Sequence, residues 1–140
     1  MVVLNEFPNT SVEPFIQKSH VDVNYNCIAW AALDNTRWYE PDPFGNYYWP
    51  GEVARDYTIE AYINLYEFLG YERCEHGNLE EGYIKVAVFA IGTWPTHAAR
   101  QLENGNWTSK LGKNIDVEHS IFSIEDGAYG QVIQYLRRPI

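Results

Sequence analysis

Cys27 and His97 are the two side chains of this sequence that could together break an amide bond. A thiol attacks the carbonyl carbon, and an imidazole takes its proton. Cys27 stands where the polar stretch Asn24-Tyr25-Asn26 gives way to the apolar run Ile28-Ala29-Trp30-Ala31-Ala32-Leu33. An asparagine side chain accepts a free N–H of a helix's first turn, so the pattern predicts a helix from about Asn26 to Leu33. The thiol then sits where free N–H groups and the positive end of the helix dipole favour a thiolate. His97 follows 70 residues later, at the start of a predicted strand. Asp116, 19 residues further on, is the candidate for fixing the imidazole tautomer and stabilising its cation, with His119 as the substitute. A plainer reading stands beside each assignment: a buried structural cysteine, a strand histidine satisfied by backbone, and an aspartate capping Val117–Ser120.

Other chemistries have weaker support. Cys74-Glu75-His76 is the one close Cys/His pair, and a zinc site would need a second pair at a matching spacing. Gly77-Asn78-Leu79-Glu80-Glu81-Gly82 lacks the Lys-Ser/Thr that follows a phosphate cradle. No cofactor and no metal is therefore expected. Arg100, Lys110, Lys113, Arg137 and Arg138 could form a local basic patch or simply a solvated sheet face.

The elements that must position these groups are readable in part. Ile59, Tyr62, Ile63, Tyr66 and Leu69 recur at helical spacing, with Thr58 or Asp56 as cap and Gly70 as stop. Tyr83 to Ala90 alternates as a strand, Ile84, Val86, Val88 and Ala90 on one face and Lys85, Ala87 and Phe89 on the other. A hairpin joins Thr96–Leu102 to Trp107–Leu111 through Asn104-Gly105, and Tyr129–Leu136 reads as a last strand. Residues 1–24 read as an irregular arm. Trp38 to Pro50 reads as a loop whose six aromatics form either a lid on the core or a substrate wall. Trp30 is expected to pack the first helix on the sheet, and Trp107 to shield His97 from water. Helices first and antiparallel strands afterwards give an α+β fold, and 140 residues fit a single domain, 1–140.

A net charge of −9 argues against nucleic acid and against an anionic membrane surface as partners. The segment Met1–Glu6 lacks a signal peptide's basic and apolar regions, and no apolar run approaches a membrane span. With two cysteines read as free thiols, the expected compartment is the cytoplasm, export as an effector remaining open.

The order Cys-on-helix, His-on-strand, then Asn, Asp or His resembles the papain-like superfamily, which includes small bacterial cell-wall amidases, peptidases and transglutaminase-like domains. Thr96 to Leu102, a turn, Trp107 and then Asp116 are similar in layout to transglutaminase-like cores. The motifs Asn26-Cys27-Ile28-Ala29-Trp30-Ala31, Thr96 to Leu102, Trp107-Thr108-Ser109-Lys110-Leu111-Gly112 and Asp116-Val117-Glu118-His119 also resemble an uncharacterised bacterial domain family, over residues 24–138. The resemblance implies a papain-like core, with N-terminal helices packed on an antiparallel sheet, and hydrolysis or acyl transfer at an amide of a peptide, peptidoglycan stem or side chain. Papain itself places a Gln upstream of its nucleophile; here the nearest candidates for the oxyanion are Asn24 and Asn26. The alternative is a non-catalytic acidic binding module, of inhibitor or immunity type, steered to a basic partner by its charge.

Overall fold

Alternating strand formers from Tyr83 onward build the centre of the molecule. The computed structural model describes residues 1–140 and holds one seven-stranded, wholly antiparallel sheet. Its strands are β1 (Ile16–Gln17), β2 (Glu72–Cys74), β3 (Tyr83–Ile91), β4 (Trp94–Gln101), β5 (Trp107–Lys110), β6 (Asp116–His119) and β7 (Gln131–Pro139), in the order β1-β6-β5-β4-β3-β7-β2. Three α-helices accompany it, α1 (Cys27–Ala31), α2 (Ile59–Phe68) and the single turn α3 (Ile121–Ile124), with a 3-10 turn at Pro8–Ser11. The fold is α+β, with shorter helices than the sequence suggests.

Both faces of the sheet are covered. On the helix face, Val86, Val88, Ala98 and Leu136 pack against α1, α2 and the buried Tyr39 and Trp49. On the opposite face, Ala87, Phe89, Ala99, Trp107 and Val117 pack against Phe7, Phe15 and Ile124. The N-terminal arm is therefore a covering layer, tied in by β1 along β6. Strands buried on both sides read as nearly continuous apolar runs, as β3 does.

Side-chain caps set both longer helices. Asn26 accepts Ala29 N–H at 3.2 Å to open α1, and Thr58 accepts Ala61 N–H at 3.1 Å to open α2. The first helix stops at Ala31 because Leu33 adopts a left-handed φ of 66° and Asp34 N–H turns back to Ala29 O at 2.9 Å. Asp116 does not cap a helix. It opens β6, opposite Lys110, and Ser120 is the cap of the helical turn that follows.

The β4–β5 hairpin turns at Gly105, whose φ of 88° needs a glycine or asparagine. Its ladder holds two pairs only, Arg100 with Thr108 and Gln101 with Trp107. Towards His97 the two strands are joined by side chains instead.

Candidate functional site

The sequence folds so that Cys27 lies at the first position of α1, on the floor of a cleft of about 260 Å³. Tyr39, Glu40, Tyr57, Trp94, Thr96 and Tyr129 also line it. Tyr57 and Trp94 stack at 5.6 Å with 17° between their planes, giving the mouth an aromatic wall. The Trp38–Pro50 segment is both things at once: Trp38 and Tyr39 line the cleft, while Tyr39 and Trp49 belong to the core.

Asn26 does more than cap. Its Oδ1 also accepts Tyr39 N–H at 3.1 Å and its Nδ2 donates to Tyr39 O at 2.7 Å, so it pins the cleft wall to the helix start. That commitment takes one of its two amide N–H groups and leaves the other as its side-chain donor for an oxyanion. Asn24 is exposed and outside the cleft lining. The N–H groups that favour a negative sulfur are backbone ones, from Ala98, Ile28 and Cys27 itself. Burial outweighs them and pushes the Cys27 thiol up to about 11. The helix start therefore does not yield the resting thiolate that its position predicts, because a desolvated sulfur loses more than one short helix returns. Iodoacetamide at pH 6 is expected to modify the half-exposed Cys74 before Cys27; mass mapping of the two peptides after partial labelling checks the order.

His97 and Cys27 do not form the predicted pair: no hydrogen bond joins them. Cys27 packs with Ala98 on the helix face, whereas His97 lies opposite Phe89 in the register and takes the other face. Its ring stacks on Tyr129 at 3.9 Å, and Tyr129 reaches from there to the cleft that holds Cys27. Asp116 is not on the His97 face either. It shares the helix face with Lys110, and its Oδ1 is buried without a partner.

What holds His97 is a relay that the sequence reading missed. His97 Nε2 meets Ser109 Oγ at 2.8 Å, Ser109 Oγ meets His119 Nε2 at 2.6 Å, and His119 Nδ1 meets Ser120 O at 2.7 Å. The Ser120 carbonyl can only accept, so His119 carries its proton on Nδ1 and accepts the Ser109 hydroxyl on Nε2. Ser109 then accepts from His97 Nε2–H. By elimination His97 Nδ1 is a bare lone pair, and it is buried with no partner. The signal was available in part: the Asn104-Gly105 turn sets the hairpin register that puts Trp107 and Ser109 on the face of Ala99 and His97. Trp107, buried on that face opposite His119, belongs to the same layer as the relay. Trp30 does join α1 to the sheet, through Nε1 to Thr108 Oγ1 at 2.9 Å.

Both histidines are held neutral. Burial lowers His97 well below the usual imidazole range, helped by His119, and burial lowers His119 to about 4. An unfolded chain takes up those protons below about pH 6.5, while the fold resists them. Stability is thus complete above 6.5 and falls as pH drops from there towards about 4, by roughly 3 kcal/mol for His119 with His97 adding more. Urea midpoints at about pH 7 and pH 4.5 read this loss, and His119→Gln should flatten it.

Residues 16–137 match the family model described as "Domain of unknown function (DUF7689)". The chain belongs to that family. No curated protein and no solved structure matches it. In this DUF7689 domain no three His, Cys, Asp or Glu side chains converge on a position for a metal ion, and Cys74 Sγ meets only His76 O, at 3.6 Å. Lys110, read as part of either a basic patch or a solvated sheet face, is fully buried and donates to Gly112 O at 2.7 Å. No helix is long and apolar enough to cross a membrane.

Proposed function

We propose that this domain is a cysteine-dependent hydrolase or acyltransferase acting on an amide bond, on a papain-like core. Cys27 is the nucleophile and His97 the general base. The third member is His119, acting through Ser109, in place of Asp116. The observation that carries this reading is the unpartnered Nδ1 of His97, a base nitrogen whose lone pair is fixed by the proton order of the relay.

Neutral thiol and neutral imidazole define the chemistry. As the Cys27 sulfur bonds to the substrate carbonyl carbon, its proton passes by way of water to His97 Nδ1, on the far side of Tyr129. Collapse of the tetrahedral intermediate breaks the C–N bond, and His97 returns the proton to the leaving amine. Water or a second amine then opens the thioester, again deprotonated by His97. The imidazolium formed meanwhile keeps its Nε2–H on Ser109. The Ala98 and Cys27 N–H groups on the sulfur side are the candidates for stabilising the oxyanion. The aromatic walls suit a peptide or glycopeptide segment lying across Tyr57 and Trp94.

Acylation by p-nitrophenyl acetate tests the reading. A burst of one nitrophenolate per chain, with the acetyl group on Cys27, is the expected result; acetylation confined to Cys74 and surface lysines would remove it. Asp116→Asn is expected to leave the burst rate within about twofold, since Asp116 touches neither reacting group.

A second reading has its own support in the raised thiol and the missing Cys27–His97 hydrogen bond. Under it the cleft is a binding site of an acidic module, and a chain without any burst that still binds a basic protein would favour it.

A further inference from the structure

Away from the Cys27 cleft, two arginines without carboxylate partners face one groove. Arg100 on β4 and Arg138 on β7 flank Ile84 of β3, since Arg100 registers with Val86 and Arg138 with Ile84. All three residues line a cavity of about 1050 Å³ whose other apolar walls include Leu33, Leu79 and Leu102. Neither guanidinium makes an ion pair, although the chain carries a net charge of −9 and its other four arginines are all paired with carboxylates. Arg100 gives one long bond to Trp30 O at 3.4 Å, and Arg138 one to Leu69 O at 2.9 Å. Most of their donors are left over. Arg138 is held over the ring of Tyr71, 4.6 Å from the guanidinium, and that ring is buried in the core outside the groove.

Charge complementarity and lining select the occupant. Two free guanidiniums call for an anion that they can hold with paired N–H bonds. Glu80, Glu81 and Glu103 on the same groove repel a multiply charged head, so a monoanion fits better than a phosphate dianion. The apolar walls call for a hydrocarbon body. We propose that the groove binds an amphipathic long-chain carboxylate, its head on Arg100 and Arg138 and its chain along Leu33, Ile84 and Leu102. The site is separate from Cys27 and stands whether or not the domain is an enzyme.

Calorimetric titration of the full chain with dodecanoate, below its micelle concentration, tests this. Binding at one site per chain is expected, weakened at least about tenfold by Arg138→Gln and unchanged by Arg73→Gln, whose partner carboxylates Glu60 and Glu67 lie outside the groove. Arg100→Gln should act like Arg138→Gln, but Arg100 also braces Trp30, so Arg138→Gln is the deciding variant if the other fails to fold. Methyl dodecanoate binding as tightly as dodecanoate would overturn the proposal. So would acetate or inorganic phosphate binding as tightly, or an Arg138→Gln protein that binds like the parent.

Discussion

Trp49→Ala is expected to destabilise the fold by roughly 3–5 kcal/mol, while Tyr47→Ala costs under about 1 kcal/mol. The two residues are close in sequence and opposite in role. Trp49 is 5% exposed, packs on Tyr62 with ring centroids 5.3 Å apart, and donates Nε1–H to Ala54 O at 2.9 Å. Removing it leaves a cavity and an unpartnered carbonyl. Tyr47 is 42% exposed, its ring centroid lies 6.0 Å from that of Trp38, and the Arg55 bond it receives goes to its backbone carbonyl, which alanine keeps. A triple replacement of Tyr47, Tyr48 and Trp49 would therefore fail through Trp49 and say nothing about the cleft. Urea midpoints of the single variants separate the contributions. Equal losses would mean that the loop does not pack as described.

His97→Ala is expected to slow Cys27 acylation by about 10²–10⁴-fold, the span that a positioned general base contributes. Because the ring is buried between Phe89 and Tyr129, alanine also leaves a cavity. His97→Gln is the companion: its amide can still donate to Ser109 but offers no base nitrogen, so it should fold better and be as slow. Ser109→Ala keeps the base but frees its tautomer and leaves His119 Nε2 unpartnered. Its loss should be smaller, and a normal rate in Ser109→Ala would reduce the relay to packing.

Local rules made much of this fold legible. Thr58 and the spacing of Tyr62, Ile63 and Tyr66 mark α2, and the alternation from Tyr83 marks β3 and its two faces. Asn26 marks the start of α1 and so the place of Cys27. Its ionisation was not legible, because it depends on α2 and the 38–57 segment closing over the sulfur. The face taken by His97 depends on the pairing of β4 with β3, where the ladder shifts between Phe89 and Ala90. Counting from Cys27 could not supply that. Asp116 was misplaced for the same reason: one step along β6 separates the face of Asp116 and Glu118 from that of Val117 and His119. A buried Lys85, salt-bridged to Glu80 at 3.0 Å, likewise follows from a layer that the strand pattern alone does not show.

The pH dependence of Cys27 acylation, measured with p-nitrophenyl acetate in a Cys74→Ser background, tests most directly whether His97 acts on Cys27. If His97 takes the thiol proton, the rate is level from about pH 6.5 to 8.5 and falls only well below 6.5, where the depressed imidazole finally protonates. In His97→Gln that plateau should vanish, leaving a slow reaction that climbs about tenfold per pH unit towards the thiol's own ionisation near 11. A parent protein that already shows the climbing profile, identical to that of His97→Gln, would contradict the account.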